Sequence, residues 1–203
     1  MSSTRVNASR RRLSVAQRRD EIVAAAQRLF GTRPQEEVSI EEVAAEAGAS
    51  RALVYRYFGG KQALYLHALL AAVDDLARRI EPPPGSALSR LRFAVAGYLD
   101  FAEQHAHGYA ALLRGASRGA EIAEIVNRTR GLIAELAFDG LGLDRSSPRL
   151  RITLTGWVAA AEAMTLHWLE NRELARAELE ELLIQNLLAV LPESAQVLDE
   201  PGA

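Results

Sequence analysis

The sequence contains no cysteine, and only one of its 24 cationic residues, Lys61, is a lysine. Without cysteine the chain can form no disulfide, no thiolate metal site and no cysteine nucleophile. It also has no charge-free apolar stretch that approaches the length needed to cross a bilayer, and no signal-peptide apolar run follows the arginines of residues 1–12. We therefore expect a cytoplasmic globular protein with no membrane partner.

The net charge of −2 is unevenly distributed along the chain. Residues 1–61 contain 11 basic and 7 acidic side chains, a net charge of +4, and the remaining residues have a net charge of −6. A basic segment on an acidic body is typical of a protein in which one region contacts a polyanion. A basic disordered tail without a binding role gives the same balance, so charge alone leaves both interpretations open.

Hydrophobic periodicity predicts an all-α fold, because apolar residues recur at helical spacing and no segment alternates as a half-buried strand does. We expect a first helix over residues 14–30, short helices after Ser39 and Ser50, and a long helix over 61–80. Ser39 and Glu42 have the spacing of a capping box. Three prolines within residues 81–86 then predict a linker. Further helices are expected over residues 86–104, 108–116, 120–138, 148–170 and 176–191.

The two short helices are separated by Ala47-Gly48-Ala49, which makes them a candidate helix-turn-helix. The surrounding residues read Ile40-x-x-Val43-Ala44-x-x-Ala47-Gly48-Ala49-Ser50-x-x-x-Val54-Tyr55-x-Tyr57-Phe58-x-x-Lys61-x-x-Leu64, after an earlier Ile22-x-x-Ala25-Ala26-x-x-Leu29-Phe30. This pattern resembles the tetracycline-repressor (TetR) family of bacterial regulators over about residues 15–66. The run from Ala44 to Lys61 is its most specific part.

The resemblance implies roles for individual side chains at an interface with double-stranded DNA. The residues that it places against base edges, at the start of the recognition helix, are Arg51, Ala52 and Leu53. The residues that it places at phosphates, or as caps beside them, are Ser39, Ser50, Tyr55, Tyr57 and Lys61. The arginines before the first helix, which could follow the duplex or enter its minor groove, are Arg10, Arg11 and Arg12.

Three positions depart from the family's pattern. Pro34 stands where the family commonly has glycine, and because proline cannot take a positive φ, the turn after the first helix must be built differently. Glu41 replaces a basic base-reading residue of some relatives, and here it would repel phosphate or accept a hydrogen bond from a cytosine amine. Leu53 replaces a small or hydroxyl-bearing residue. These departures affect the expected operator sequence rather than DNA binding itself.

The resemblance also implies an architecture, an N-terminal three-helix helix-turn-helix domain joined by a connecting helix to a larger helical ligand-binding and dimerisation domain. The expected segments are a basic disordered arm (1–13), the helix-turn-helix DNA-binding domain (14–61), the connecting helix (62–80), the proline-rich linker (81–86), the ligand-binding and dimerisation domain (87–191) and a disordered tail (192–203).

Aromatic and polar residues within the later apolar helices are the candidates for binding a small-molecule effector. On the helix after the linker and the short helix that follows they are Tyr98, Phe101, His105, His107 and Tyr109, and on the helix over 148–170 they are Trp157, Glu162, Met164 and Trp168. If the two groups face each other, they enclose a site for a mostly apolar effector. Plain core packing is the alternative for the same stripes.

The charges along the helix over 148–170 narrow the expected effector. No arginine lies between Arg151 and Arg172, so we expect no partner there for a strongly anionic ligand. Glu162 would favour a cation if it faces the cavity, and would otherwise lie at a dimer seam. Neither a metal nor a cofactor is expected, because His105 and His107 at i, i+2 point apart on a helix.

The last two long helices carry more apolar surface than one pairing can bury, which predicts a homodimer through about residues 150–190. We expect Leu183 and Leu187 in the middle of that dimer face. The resulting hypothesis is a ligand-responsive repressor that binds a palindromic operator. The alternatives are a helical structural or interaction protein, or a small-molecule-binding enzyme, and salt-dependent binding to duplex DNA would distinguish both from a regulator.

Overall fold

The computed structural model describes residues 14–115 and 119–191, and within these ranges it contains nine α-helices, one 3-10 helix and no strand. The α-helices are α1 (Val15–Thr32), α2 (Ile40–Glu46), α3 (Arg51–Phe58), α4 (Lys61–Ile80), α5 (Ala87–Gln104), α6 (Ala106–Gly115), α7 (Ala120–Leu141), α8 (Pro148–Asn171) and α9 (Arg176–Val190). The all-α prediction is confirmed. The predicted arm (1–13) and tail (192–203) lie outside the described residues.

The N-terminal helices begin at serine caps. The side chains of Ser14, Ser39 and Ser50 each accept a hydrogen bond from the backbone amide three residues on, at the first turns of α1, α2 and α3. Such caps satisfy amides that have no partner inside the helix. At α2 the cap is reciprocal, since Glu42 Oε2 accepts from the Ser39 amide at 2.7 Å. Hydrogen bonds from Arg33 and Ser39 lower the pKa of Glu42 to about 2.

Two turns between these helices depend on specific residues. Gly48 has a φ of 58°, the left-handed conformation that glycine adopts without steric cost, at the turn between α2 and α3. The turn at Pro34 has a different backbone conformation. Arg33 is extended at a φ of −139°, and a 3-10 helix (Gln35–Glu37) follows the proline. The turn after α1 is therefore built without a positive φ, as the presence of Pro34 requires.

The core of the body lies between α5, α7, α8 and α9. Its largest members, including Leu99, Leu154, Leu179 and Ile184, are fully or almost fully buried. The side chain of Trp157 on α8 contacts α9, where its Nε1 donates a hydrogen bond to the carbonyl oxygen of Leu183 at 3.1 Å. The buried residues of α8 include Leu154, Trp157, Val158 and Thr165, which do not share one face, so this helix is covered on more than one side.

The expectation for Leu183 and Leu187 is wrong, because both side chains are 0% exposed within a single chain. They belong to the core that α9 shares with α5 and α8. The apolar residues that α9 presents outward are Leu182 and Val190, which are 42% and 45% exposed. Helical spacing placed all of these residues near one face, but the position of α5 and α8 decides which of them are covered.

The N-terminal domain and the body meet at α1, α4 and α6. A Cβ on Gly108 of α6 would lie 3.0 Å from the carbonyl oxygen of Phe30, and one on Gly31 would lie 2.7 Å from Nδ1 of His105. The lack of a side chain at Gly108 therefore lets the backbones of α1 and α6 approach closely, and at Gly31 it leaves room for the His105 ring. The long helix α4 packs against α1 on one side and α5 on the other. It thus connects the two regions directly.

None of the described helices combines the length and the apolar composition that a bilayer span requires.

Candidate DNA-binding surface and effector cavity

The outward face of α3 carries most of the predicted DNA-contacting residues. Val54 and Phe58 are buried and anchor the helix to the N-terminal core. On the opposite side Ser50, Arg51, Ala52 and Tyr55 are exposed, and Leu53 and Tyr57 are half-buried. The face thus consists of short or flat side chains near the guanidinium of Arg51. Side chains of this size fit into a major groove.

Arg51 is held by two neighbours in the absence of DNA. Its Nη1 lies 2.9 Å from Oε1 of Glu41, and its guanidinium lies 5.4 Å from the centre of the Tyr55 ring. A hydrogen bond that Arg51 donates to Tyr55, and the charge of Glu41, raise the pKa of Arg51. Glu41 therefore pairs with Arg51, the predicted base-reading residue, and is not an isolated negative charge on the DNA-binding surface. Residue spacing did not reveal this contact, since the partners lie on different helices.

The N-terminus of α4 is a second surface suited to phosphate. Its N-cap residue is Gly60, which offers no side-chain acceptor, so the first amides of α4 stay available to an anion. Lys61 stands at this turn, and its Nζ donates to the carbonyl oxygen of Glu36 at 3.1 Å. Ser39 differs, because its hydroxyl already donates to Glu42 at 2.8 Å. A phosphate contact by Ser39 requires this hydrogen bond to be exchanged.

The positive net charge of residues 1–61 does not belong to the helix-turn-helix domain itself. Residues 14–61 carry seven basic and seven acidic side chains, so the excess of +4 comes from the four arginines among residues 1–13. Arg10, Arg11 and Arg12 lie outside the described residues, and their contact with DNA stays a prediction. Arg56 was missed by the sequence reasoning. It is exposed one turn after Ala52, and its guanidinium lies 5.2 Å from the Tyr57 ring centre.

A cavity lies in the body between the N-terminal part of α5, the C-terminal part of α7 and the middle of α8. Its volume is about 70 Å³, or about 740 Å³ when the gaps between its wall atoms and its opening to solvent are counted as well. Leu91, Ala94, Val95, Leu136, Ala137 and Ala161 give it a mainly apolar wall. Ile80, at the end of α4, and Pro82, in the linker, also line it. The cavity therefore contacts the helix that leads to the DNA-binding domain.

The predicted effector residues do not lie around one cavity. Those that line the cavity between α5, α7 and α8 are Tyr98, Trp157 and Glu162. Those that line a separate small cavity beneath α1 and α4 are Phe101, His105 and Tyr109, and those that line a groove beside α9 are Met164 and Trp168. His107 is exposed. The condition that the two groups share one cavity is met by Tyr98, Trp157 and Glu162, whereas Trp168 lies about 16 Å along α8 from Trp157.

The inner end of the cavity is polar but electrically balanced. Glu162 is buried and accepts hydrogen bonds from Arg130 of α7, at 2.9 Å from Nε and 2.6 Å from Nη2. Tyr98 and Tyr109 join their hydroxyls at 2.5 Å, and burial raises the pKa of Tyr98 to about 12. Since Arg130 compensates Glu162, the carboxylate gives no reason to expect a cationic effector. The sequence reasoning missed Arg130, because it considered arginines of α8 alone.

Comparison with known proteins finds a family match for each of two segments of the chain. Residues 22–68 match the family described as "Bacterial regulatory proteins, tetR family", and residues 88–190 match "Tetracyclin repressor-like, C-terminal domain". The chain belongs to the TetR family. A crystal structure of a TetR-family transcriptional regulator from Streptomyces coelicolor is similar over 88% of this chain and 82% of that chain, with 36% sequence identity and a TM-score of 0.81.

Two other bacterial regulators show how sequence similarity varies along this TetR-family chain. The transcriptional activator FasR of Mycolicibacterium smegmatis is 28% identical over 166 residues, which cover 79% of this chain and 76% of that protein. The transcriptional regulator BetI of Brucella anthropi is 38% identical over 73 residues, 36% of each chain. The chain is therefore a transcriptional regulator with a helix-turn-helix DNA-binding domain and a TetR-type ligand-binding domain.

Proposed function

We propose that this protein is a homodimeric repressor that binds a palindromic operator in the cytoplasm and is released by a small, mostly apolar effector. The exposed face of α3, with Arg51 at its start and Tyr55 one turn later, is the observation that carries the proposal. Val54 and Phe58 fix this helix on the N-terminal core, so the face stays in place as α3 approaches a groove.

The outer surface of α8 and α9 supports the dimer. The exposed positions along α8 include Ile152, Gly156, Ala159 and Ala163, and α9 adds Leu182 beside them. Ile152 is 75% exposed, which leaves a large aliphatic side chain in water in an isolated chain. Small residues allow two helices to approach closely, and the surrounding aliphatic groups gain free energy when a second copy covers them. Two copies joined here form a four-helix bundle.

The helix α4 supports coupling between effector and DNA. Ile80 at its C-terminus lines the cavity, and Lys61 at its N-terminus lies beside the DNA-binding surface, about 30 Å away along a straight helix. A ligand that pushes on Ile80 moves α4 as a rigid rod and thereby changes the separation of the two α3 helices in a dimer. Operator binding requires one fixed separation, so the ligand and the operator oppose each other.

The test begins with selection of duplexes from a random pool by the full-length protein, which should yield an inverted repeat. Tyr55→Phe and Lys61→Ala should then weaken binding about equally at every sequence, since phosphate contacts carry no sequence information. Arg51→Ala should relax preference at one base pair by about 1–3 kcal/mol. Arg128→Ala, at an exposed arginine of α7, is the control and should change neither quantity.

Salt dependence separates the regulator from an adaptor or an enzyme that does not bind DNA. Replacement of Arg10, Arg11 and Arg12 by Gln should lower the slope of log affinity against log salt by about three, if each arginine contacts one phosphate. An unchanged slope would exclude these arginines from the interface.

The direction of regulation needs a transcription assay, because FasR of Mycolicibacterium smegmatis is named an activator. With the selected operator placed over a promoter, the protein should lower transcript yield. An increase from an operator placed upstream would contradict repression while leaving DNA binding intact.

A further inference from the structure

Arg90, in the first turn of α5, differs from the other charged residues of the cavity. Its side chain lines the cavity, and its Nε is buried without a hydrogen-bond partner among the described residues. No carboxylate of the described ranges forms an ion pair with it. Arg92, two positions later on the same helix, instead pairs with Glu181, with 2.8 Å between Nη1 and Oε2. A buried guanidinium N–H that lacks a partner costs free energy until an acceptor reaches it.

Charge balance differs between the two ends of the cavity. At the end formed by Tyr98 and Glu162, Arg130 already neutralises the carboxylate. At the other end Arg90 and Pro82 line the cavity, and both are half-buried. The uncompensated charge of the cavity is therefore positive and lies at the end formed by Arg90.

The space between these ends is apolar and elongated. Arg90 and Tyr98 are eight residues apart on α5, which separates them by about 12 Å along the helix. Leu91, Ala94 and Val95 line this stretch on one side, and α7 covers the other with further apolar residues. A ligand that fills it must be apolar over most of its length, because an unpaired polar group would lose its hydration here.

We infer that the cavity binds an amphipathic anion, with a carboxylate at Arg90 and a single unbranched apolar chain directed along α5 toward Tyr98. This inference rests on the proposed role of the cavity as the effector site. A guanidinium offers parallel N–H donors that match a carboxylate, and this geometry supplies the missing acceptor to Arg90. The anionic head differs from the effector expected from the helix that carries Trp157, because the cation lies on α5.

Binding of three probes with the same chain length to the full-length protein tests this inference. Decanoate, decanol and decyltrimethylammonium carry similar unbranched chains and have anionic, neutral and cationic head groups. Trp157 lines the cavity, so its fluorescence and the melting temperature report binding directly. Decanoate should bind about tenfold or more tightly than decanol, the gain expected for hydrogen bonds to a charged group, and the ammonium probe should bind most weakly.

Three variants locate the head and the chain. Arg90→Gln should weaken decanoate about tenfold and leave decanol unchanged, because only the charged contact is removed. Arg92→Gln is the matched control and should preserve the preference for decanoate. Ala94→Leu should weaken decanoate and decanol together, since the added atoms occupy the space of the chain. Arg92→Gln should also retain operator binding in the absence of a probe.

Equal affinity for decanoate and decanol in the wild type would overturn the inference, and so would an unchanged preference in Arg90→Gln. Absence of binding by all three probes would also overturn it. These outcomes are separate from a failure of the proposed function, which appears as a loss of salt-dependent operator binding by the wild type before any probe is added. Release of operator by decanoate from the wild type and from Arg92→Gln, with about tenfold more decanoate needed for Arg90→Gln, would support both.

Discussion

In the N-terminal domain α1, α2 and α3 all begin at a serine cap. In the body α5 and α8 also begin at serine caps, but α7 and α9 begin at Gly119 and Ala175, which have no side chain that can cap. A cap matters most where the helix is short. The helices α2 and α3 have seven and eight residues, too few to be stable without local support. Helices of the body reach 24 residues and derive their stability from packing along their length.

The two regions also differ in what they leave unfilled. The N-terminal core closes around Ile22, Val43, Val54 and Leu64, each of which is 0% exposed. The body leaves a cavity next to its core, with Arg90 at one end. A closed core keeps α3 at a fixed place on its domain, while an incompletely filled core can change shape when a ligand enters. The comparison can be tested by substitutions that act on one region and not the other.

The largest effect is expected at two adjacent leucines of α9. Leu183→Glu places a charge in a fully buried site, so the body should lose several kcal/mol of stability and unfold. Leu182→Glu changes a residue that is 42% exposed, so the protomer should stay folded but fail to dimerise and to bind the operator. Sedimentation and thermal unfolding distinguish the two. A dimeric Leu182→Glu variant would remove this face from the interface.

The contact between the regions should be the next most sensitive. Gly31→Ala brings a methyl group to 2.7 Å from Nδ1 of the buried His105, and such overpacking should cost about 1–3 kcal/mol in urea unfolding. Gly131→Ala is the control, because nothing lies within 4 Å of the added carbon and alanine favours a helix. In a double-mutant cycle His105→Ala should reduce the cost of Gly31→Ala. Purely additive effects would contradict a direct contact between these residues.

Loss of a cap should have a smaller effect, and a greater one in the N-terminal domain than in the body. Ser39→Ala removes both hydroxyl hydrogen bonds to Glu42 and should cost about 1 kcal/mol. Ser147→Ala acts at the start of the 24-residue α8, where the capping bond is 3.4 Å long, and should cost less. Chemical unfolding of the two variants measures the difference. Equal costs would mean that helix length does not determine the need for a cap.

The smallest expected effect depends on pH at the same contact between regions. Burial, and then the charge of Arg79, lower the pKa of His105 below its ordinary value of 6.5. The unfolded chain therefore takes up a proton more readily than the folded protein. The contribution of His105 to stability is complete above pH 6.5 and declines as the pH falls from there toward the lowered pKa.

Unfolding free energies of wild type and His105→Gln between pH 7.5 and 5.5 should show this decline, with a shallower slope in the variant. His67→Gln should also reduce the slope, since burial and Arg19 lower the pKa of His67. Identical slopes in the wild type and His105→Gln would contradict the assigned direction of the shift.

Much of the N-terminal domain could be predicted from the sequence alone because its signals are local. Ser39 and Glu42 are three residues apart, and Gly48 acts on its own backbone, so the cap and the turn follow from neighbouring residues. The exposed side of α3 also follows, since Val54 and Phe58 identify the buried side by helical spacing. The order of the later helices was predictable for the same reason, from the prolines, glycines and apolar periods of the chain.

The contents of the cavity and the outer face of the body depend on tertiary structure. Glu162 meets Arg130 across 32 positions of sequence, and Glu41 meets Arg51 across two helices. Periodicity shows that α9 has an apolar face, but only the positions of α5 and α8 cover Leu183 and leave Leu182 in water. Local sequence determines the direction of a side chain around its own helix axis. The partner that it meets depends on how whole helices pack, which no short segment specifies.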